Sequence, residues 1–370
     1  MEAHATPCAG RFVRTSMWSV LPFRWSPHFL RGRWFQYCYV SSMDFINNSI
    51  SSLGAFAPYA CLSLFLLASL LVVWRLEVMS GQGVEGTVLG TIFMPFCSGM
   101  GNIIFAWVLA RNSGDGNDVV VNCLFNNITN LTLLIGLPVL IWSMASIPGR
   151  KSQKALREFR IGRLSLGLNL VAAFFFSFIL WALAADGELS RTDGIVLLAL
   201  FVFWQCFHIY DVKKTNLLRK KSYPKTLVLD VALLLLGAFI VFVSTDWLVQ
   251  WFQGLESGRF PSSFLGWASG VLMVLPNALL AFYYGARDRM DVVYTSQAGD
   301  AHMCIPFCIG LFAVFRGIPT GGFLQQSLWI LMGLSLAHLV FVAALGRLPR
   351  FAAALFIAAF GLFLWMGISL

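Results

Sequence analysis

The sequence is short of charge. Asp, Glu, Lys and Arg make up 12% of its 370 residues, where a soluble globular chain carries about 25%. That shortage argues against a cytosolic enzyme, a nucleic-acid module and a disordered protein. Also missing are a Walker motif and an HExxH helix, so ATP-driven transport and zinc proteolysis by those routes have no support. No enzymatic activity and no bound cofactor are expected. The eight Cys are scattered, mostly inside apolar runs, where Cys behaves as a small hydrophobe and suggests no disulfide framework. What is abundant is apolar: 58% hydrophobic residues with 34 Phe and 13 Trp, and a mean hydropathy of +0.75. The composition is that of an all-α, multi-pass integral membrane protein whose first partner is the bilayer. Its net charge of +9 records topology rather than a nucleic-acid partner, because the cations sit mostly in short connections.

A membrane helix needs about 20 mostly apolar residues, and ten such stretches are present, over 55–74, 84–110, 118–146, 164–185, 193–210, 226–247, 263–286, 291–315, 323–345 and 351–369. Lys and Arg are retained on the cytoplasmic side. The connection after span three holds Arg150, Lys151, Lys154, Arg157, Arg160 and Arg163, and that after span five holds Lys213, Lys214, Arg219, Lys220, Lys221 and Lys225. Alternation puts Arg75, Arg287, Arg289, Arg347 and Arg350 inside as well, 17 cations against four outside (Arg111, Arg191, Arg259 and Arg316). One missed helix would scramble that split. Both termini are expected on the non-cytoplasmic side of an inner or plasma membrane. The Arg-rich segment 1–43 runs against the pattern and lacks an apolar core long enough for a secretory signal. Translation starting at Met43 would explain it; a genuine tail is the alternative.

Ten spans divide into a first five-helix repeat over 44–212, a basic cytoplasmic linker over 213–225 and a second repeat over 226–370. Five is odd, so a duplicated half enters the membrane in the opposite sense, giving the inverted repeat common in secondary transporters. The halves echo one another: Asn102 and Asn277, Ala106 and Ala281, Arg111 and Arg287, Asp-Val-Val from Asp118 and from Asp291, and Ile-Gly-Leu from Ile135 and from Ile309.

Polar residues gather in these hairpins. Pro95, Ser98, Gly99, Gly101 and Asn102 interrupt span two, and Gly270, Pro276 and Asn277 interrupt span seven. Backbone freed by such breaks is tolerable only against protein or a watery cavity. Span three carries Asn122, Asn126, Asn127, Thr129, Asn130 and Thr132, and span eight carries Gln297, Asp300 and His302. A single membrane Asn is explained by helix packing; this concentration, repeated in both halves, points to a shared polar site. Asp300 is the one acid placed well inside a span, and a buried ionisable group is a functional candidate. His302 lies about 200° further round a helix, so it shares no face with Asp300 unless Gly299 distorts the turn. Cys97, Cys123, Cys304 and Cys308 add four thiols to the candidate core. Thiols with an imidazole would suit a softer metal such as zinc or copper; packing is the other reading. His208 and His338 read as packing or interfacial residues, and Asp230 and Asp246 as groups near the water-accessible ends of span six.

At these residues the chain resembles the calcium/cation antiporter superfamily, which includes sodium/calcium and cation/proton exchangers. The resemblance implies ten helices in two inverted five-helix repeats. It implies a Pro-Glu or Gly-Asn-x-x-Glu element on the second helix of each half and a Gly-Ser-Asn-like element about 25 residues on. Gly101-Asn102 and Pro276-Asn277 resemble the first element, and Asn126-Asn127 and Ala301-His302 stand at the second; Asn102 to Asn127 and Asn277 to His302 are both 25 residues. The departure is chemical. Asn102 and Asn277 stand at the acidic position, and the alternative register offers Phe105 and Leu280, so the Glu pair that holds a divalent cation in the family is absent. The resemblance implies antiport of a small inorganic cation against sodium or protons, with Asn102, Asn122, Asn127, Asn277 and Gln297 giving oxygens, Asp300 giving charge, and His302 nearby. A scaffold or sensor that has lost exchange, and a transporter of a softer transition metal, are the alternatives.

Overall fold

In the computed structural model, residues 46–81, 99–112, 114–142, 153–216, 227–259 and 264–368 are described. The Arg-rich segment 1–43, Pro95, Cys97 and Ser98 of span two, and residues 217–225 of the linker lie outside them. Residues 50–370 form one compact unit, and of the other, Met1–Ser49, only 46–49 are described.

The long apolar runs become helices, as chains that must satisfy every backbone group within hydrocarbon do. They are α1 (Ala57–Gly81), α2 (Met100–Arg111), α3 (Gly116–Thr129), α4 (Ile135–Trp142), α5 (Gln153–Leu183), α6 (Arg191–Asn216), α7 (Leu227–Arg259), α8 (Phe264–Gly285), α9 (Met290–Gly299), α10 (Gly310–Phe315), α11 (Gly322–Leu345) and α12 (Arg350–Ile368). A π-helical turn, Asn130–Leu134, joins α3 to α4, and another, Met303–Ile309, precedes α10. Among the described residues, eight helical stretches are long and apolar enough to cross a membrane: Gly54–Arg75, Gly116–Trp142, Leu166–Asp186, Val228–Leu255, Phe264–Gly285, Val292–Phe315, Gly322–Leu345 and Arg350–Gly367. The protein is therefore an integral, multi-pass, helical membrane protein. Met100–Arg111 is a shorter apolar helix, the described part of the second predicted span.

Burial ranks the helices. Gly116–Trp142 and Val292–Phe315 are each 78% buried, against 28% for Val228–Leu255 and 22% for Arg350–Gly367. The two polar stretches thus sit in the middle, and the purely apolar helices face outward with exposed Phe203, Val228, Leu235 and Trp365. Helix α1 packs on α7, α5 on α11, and α3 on α8; α6 lies against α10, and α12 against α4. Phe125 of α3 meets Trp267 edge-on at 5.5 Å, and Trp267 meets Phe363 at 5.4 Å, closing an aromatic seam between α3, α8 and α12.

Helix ends are closed by side chains. Ser190 and Asp193 form a reciprocal cap on α6: the Ser190 N–H donates to Asp193 Oδ2 at 2.8 Å and the Asp193 N–H to Ser190 Oγ at 3.3 Å. Asp118 accepts the Gly266 N–H at 2.9 Å, so an acid at the start of α3 satisfies a donor in the first turn of α8. A side chain on Gly266 would put its Cβ 2.8 Å from the Asp118 carbonyl oxygen, which is why that crossing needs glycine. The π turns have prolines behind them. Pro138 has no N–H for the Leu134 carbonyl and crowds it, and Pro306 does the same to His302; the first wide turn ends at Leu134 and the second begins just after His302. Two short strands, β1 (Glu188–Leu189) and β2 (Ile318–Pro319), pair antiparallel, with Leu189 opposite Ile318.

Two sequence expectations change. Asp230, read as near water, is buried and ion-paired with Arg75 of α1 at 3.2 Å. Its helix end is covered by α1, a neighbour that the hydropathy of one span does not reveal. His338, read as a packing or interfacial group, is fully buried and hydrogen-bonded at both ring nitrogens.

Candidate cation site

Helix α3 presents Asn122, Asn126 and the following Asn130 at intervals of four, which puts them on one face. All three are fully buried, and each sends its amide nitrogen to a residue of the second half of the chain. Asn122 donates to Ser269 Oγ at 3.0 Å, Asn126 to Cys304 Sγ at 3.2 Å, and Asn130 to Asp300 Oδ2 at 3.1 Å. Asn277 of α8 donates to the same Asp300 oxygen at 2.6 Å. Two carboxamides, one from each half, therefore meet on a single buried carboxylate.

The side-chain oxygens of Asn122, Asn126 and Asn130 take no hydrogen bond from the described residues, and neither do those of Asn102, Asn127 and Gln297. Buried amide oxygens are ordinarily satisfied. Six open ones in the two polar hairpins are neutral oxygens of the kind that a hard cation takes.

The sequence-predicted residues divide. Asn277 and Asp300 are brought into contact, and Asn122 is tied to α8 through Ser269. Asn102 is fully buried on α2 beside Gly101, where an added Cβ would collide with the Met273 sulfur; α2 lies against the second π turn. Asn127 is buried one residue off the Asn126 face. Gln297 donates to its neighbour Ser296 at 3.2 Å. His302 turns to α6, its ring 6.4 Å from that of Trp204. Helix α9 stops at Gly299, Asp300 is a turn residue, and its carbonyl accepts from the Met303 and Cys304 N–H groups. Asn126 and Asn130 were outside the predicted set, although the spacing 122, 126, 130 carried the signal.

Among the described residues no three His, Cys, Asp or Glu side chains could together hold a metal ion. The softer-metal alternative therefore finds no ligand set there, since the imidazole it needs packs against Trp204.

The family model described as Sodium/calcium exchanger protein matches residues 54–210. No curated relative matches the chain by sequence. Among solved structures, the sodium-calcium exchanger NCX_Mj soaked with 2.5 mM Na+ and 10 mM Sr2+ is similar at a TM-score of 0.59 and 18% identity, over 86% of this chain and 97% of that one. The same exchanger soaked with 2.5 mM Na+ and 0.1 mM Sr2+ gives 0.61 and 18%, over 82% and 95%. Soaked with zero Na+ and Ca2+ it gives 0.57 and 18%, over 87% and 99%. At that identity the likeness is one of fold.

Proposed function

We propose that this chain is a member of the calcium/cation antiporter superfamily and a secondary antiporter that exchanges a small monovalent cation by alternating access, a reading supported by the family match over residues 54–210 and by the likeness of fold. The observation that carries the reading is the meeting of Asn130 and Asn277 on Asp300, with the side-chain oxygens of Asn126 and Asn130 left without a hydrogen bond from the described residues. In this reading Asp300 supplies the one formal charge, Asn102, Asn122, Asn126, Asn127, Asn130 and Gln297 supply neutral oxygens, and an ion gradient supplies the energy. His302 has no part in it.

The architecture we propose is ten membrane helices in two inverted five-helix repeats, over 44–212 and 226–370, with both termini outside. Several observations support it. The hydrogen bonds Asn126 to Cys304 and Asn130 to Asp300 exchange with one another under a single offset of 174 residues. The same offset carries Ile135-Gly136-Leu137, just after the first π turn, onto Ile309-Gly310-Leu311, at the end of the second. Packing repeats as well: α3 on α8 answers the second π turn on α2, and α4 on α12 answers α10 on α6. Arg316 bonds the Ala110 carbonyl and Arg191 that of Phe315, at 3.3 Å each, which gathers three of the predicted outside connections at one face.

Charge decides the ion class. Calcium takes about 6–8 oxygens and is ordinarily matched by more than one carboxylate; a single carboxylate balances a monovalent ion. The test is thermal unfolding of the purified protein against lithium, sodium, potassium, protons and calcium, since a ligand bound only to the folded state raises its stability. A monovalent cation should stabilise more than calcium does. Stabilisation by none of them would favour the scaffold or sensor reading.

A further inference from the structure

His338 of α11 is fully buried, far along the chain from both polar hairpins, yet touches each of them. Its Nε2 stands 2.7 Å from the Leu131 carbonyl oxygen, inside the first π turn, and its Nδ1 is hydrogen-bonded to the hydroxyl of Tyr294 on α9. A carbonyl only accepts, so Nε2 carries the proton; in the neutral ring Nδ1 then accepts from the tyrosine. Phe356 of α12 holds the imidazole from the side, with ring centroids 4.1 Å apart.

These bonds close a circuit with the site. Leu131 follows Asn130, which donates to Asp300, and Asp300 stands six residues beyond Tyr294, about 9 Å further along the helix axis. The π turn of the first half and the broken helix of the second are thus joined at two levels. One rung is the site pair, Asn130 with Asp300. The other is Leu131, His338 and Tyr294.

We infer that His338 is a positioning residue for the cation site: its bond to Leu131 sets where Asn130 meets Asp300, and so sets ion affinity. The inference rests on the transport reading above. Nothing in it requires the imidazole to touch an ion. Groups that orient ligands in this way typically change affinity ten- to hundredfold when removed, while the ligands themselves stay in place.

The test is an ion titration of thermal stability on the intact protein in detergent, paired with exchange in vesicles at saturating cation. H338F fills the volume and removes both bonds. It should raise the half-stabilising ion concentration by about tenfold or more and leave exchange at saturating ion within about threefold of wild type. H338Q keeps an N–H donor for Leu131 and should recover most of the lost affinity. H338N keeps an acceptor for Tyr294 without a donor able to reach Leu131, so it should behave like H338F; it replaces H338F if that variant does not fold. A lower unfolding temperature with an unchanged ion midpoint in both H338F and H338N would overturn the inference and make His338 a packing residue. A wild-type protein that no cation stabilises would instead overturn the transport reading beneath it, so the two failures are told apart.

Discussion

Replacing Asp300 by Asn isolates the one formal charge of the site. The two side chains have nearly the same shape, and an amide oxygen at the position of Oδ2 still accepts from Asn130 and Asn277. What is lost is the attraction for a cation. At about 4 Å and an effective dielectric near 20, that attraction is about 4 kcal/mol, or roughly a thousandfold in affinity. An ion at a hundred times its dissociation constant stabilises the wild-type protein by about 2.7 kcal/mol; after a thousandfold weakening the same concentration yields less than about 0.1 kcal/mol. The ion-free protein should move the other way, because burying an uncompensated carboxylate is costly, so D300N should unfold at the same temperature or higher. The assay is thermal unfolding of purified wild type and D300N across a cation titration, with exchange in vesicles as the functional counterpart. A D300N protein that keeps the full cation-induced shift, or exchanges at the wild-type rate, refutes the assignment of Asp300.

Introducing acids at Asn102 and Asn277 together should reverse the ion preference, so that calcium stabilises the double Asn→Glu variant more than sodium does, as measured in the same unfolding assay. Micromolar calcium binding by wild type, weakened in that variant, would show that the site draws its charge from elsewhere. Between α1 and α7, Arg75→Met leaves Asp230 buried without its 3.2 Å partner and should lower stability by about 3–5 kcal/mol. Adding Asp230→Leu should restore most of the loss; a cost under about 1 kcal/mol for Arg75→Met alone would mean that water reaches the pair.

The helices were legible because their signal is local. A run such as Leu227 to Val243 cannot be hidden from hydrocarbon except as a helix, and each predicted span has helix within it. Candidate site residues were legible where one helix announces them, as with Asp300, the one acid well inside a predicted span. Other features depend on a second helix. Nothing within span nine distinguishes His338 from a packing histidine until Tyr294 and Leu131 are brought to its two nitrogens. Asp230 looked solvated because α1 contributes its partner from 155 residues away. The π turns went unread because proline signals a break without saying how the chain will reroute its carbonyls. Span five was found as the helix Arg191–Asn216, yet its histidine at 208 has no described side-chain surroundings to compare with the expectation.

Each asparagine of the α3 face has its nitrogen moored: Asn122 to Ser269, Asn126 to Cys304, Asn130 to Asp300. A moored carboxamide is a dipole that cannot swivel. In bulk water, molecules turn whichever end a solute asks for, but these three amides present only their negative ends. In the transport reading, the face would discriminate by sign before it discriminates by size. Halides should neither stabilise the protein nor compete with a cation, and cutting one mooring, as Ser269→Ala does for Asn122, should make the site more tolerant of anions without adding a positive charge to it.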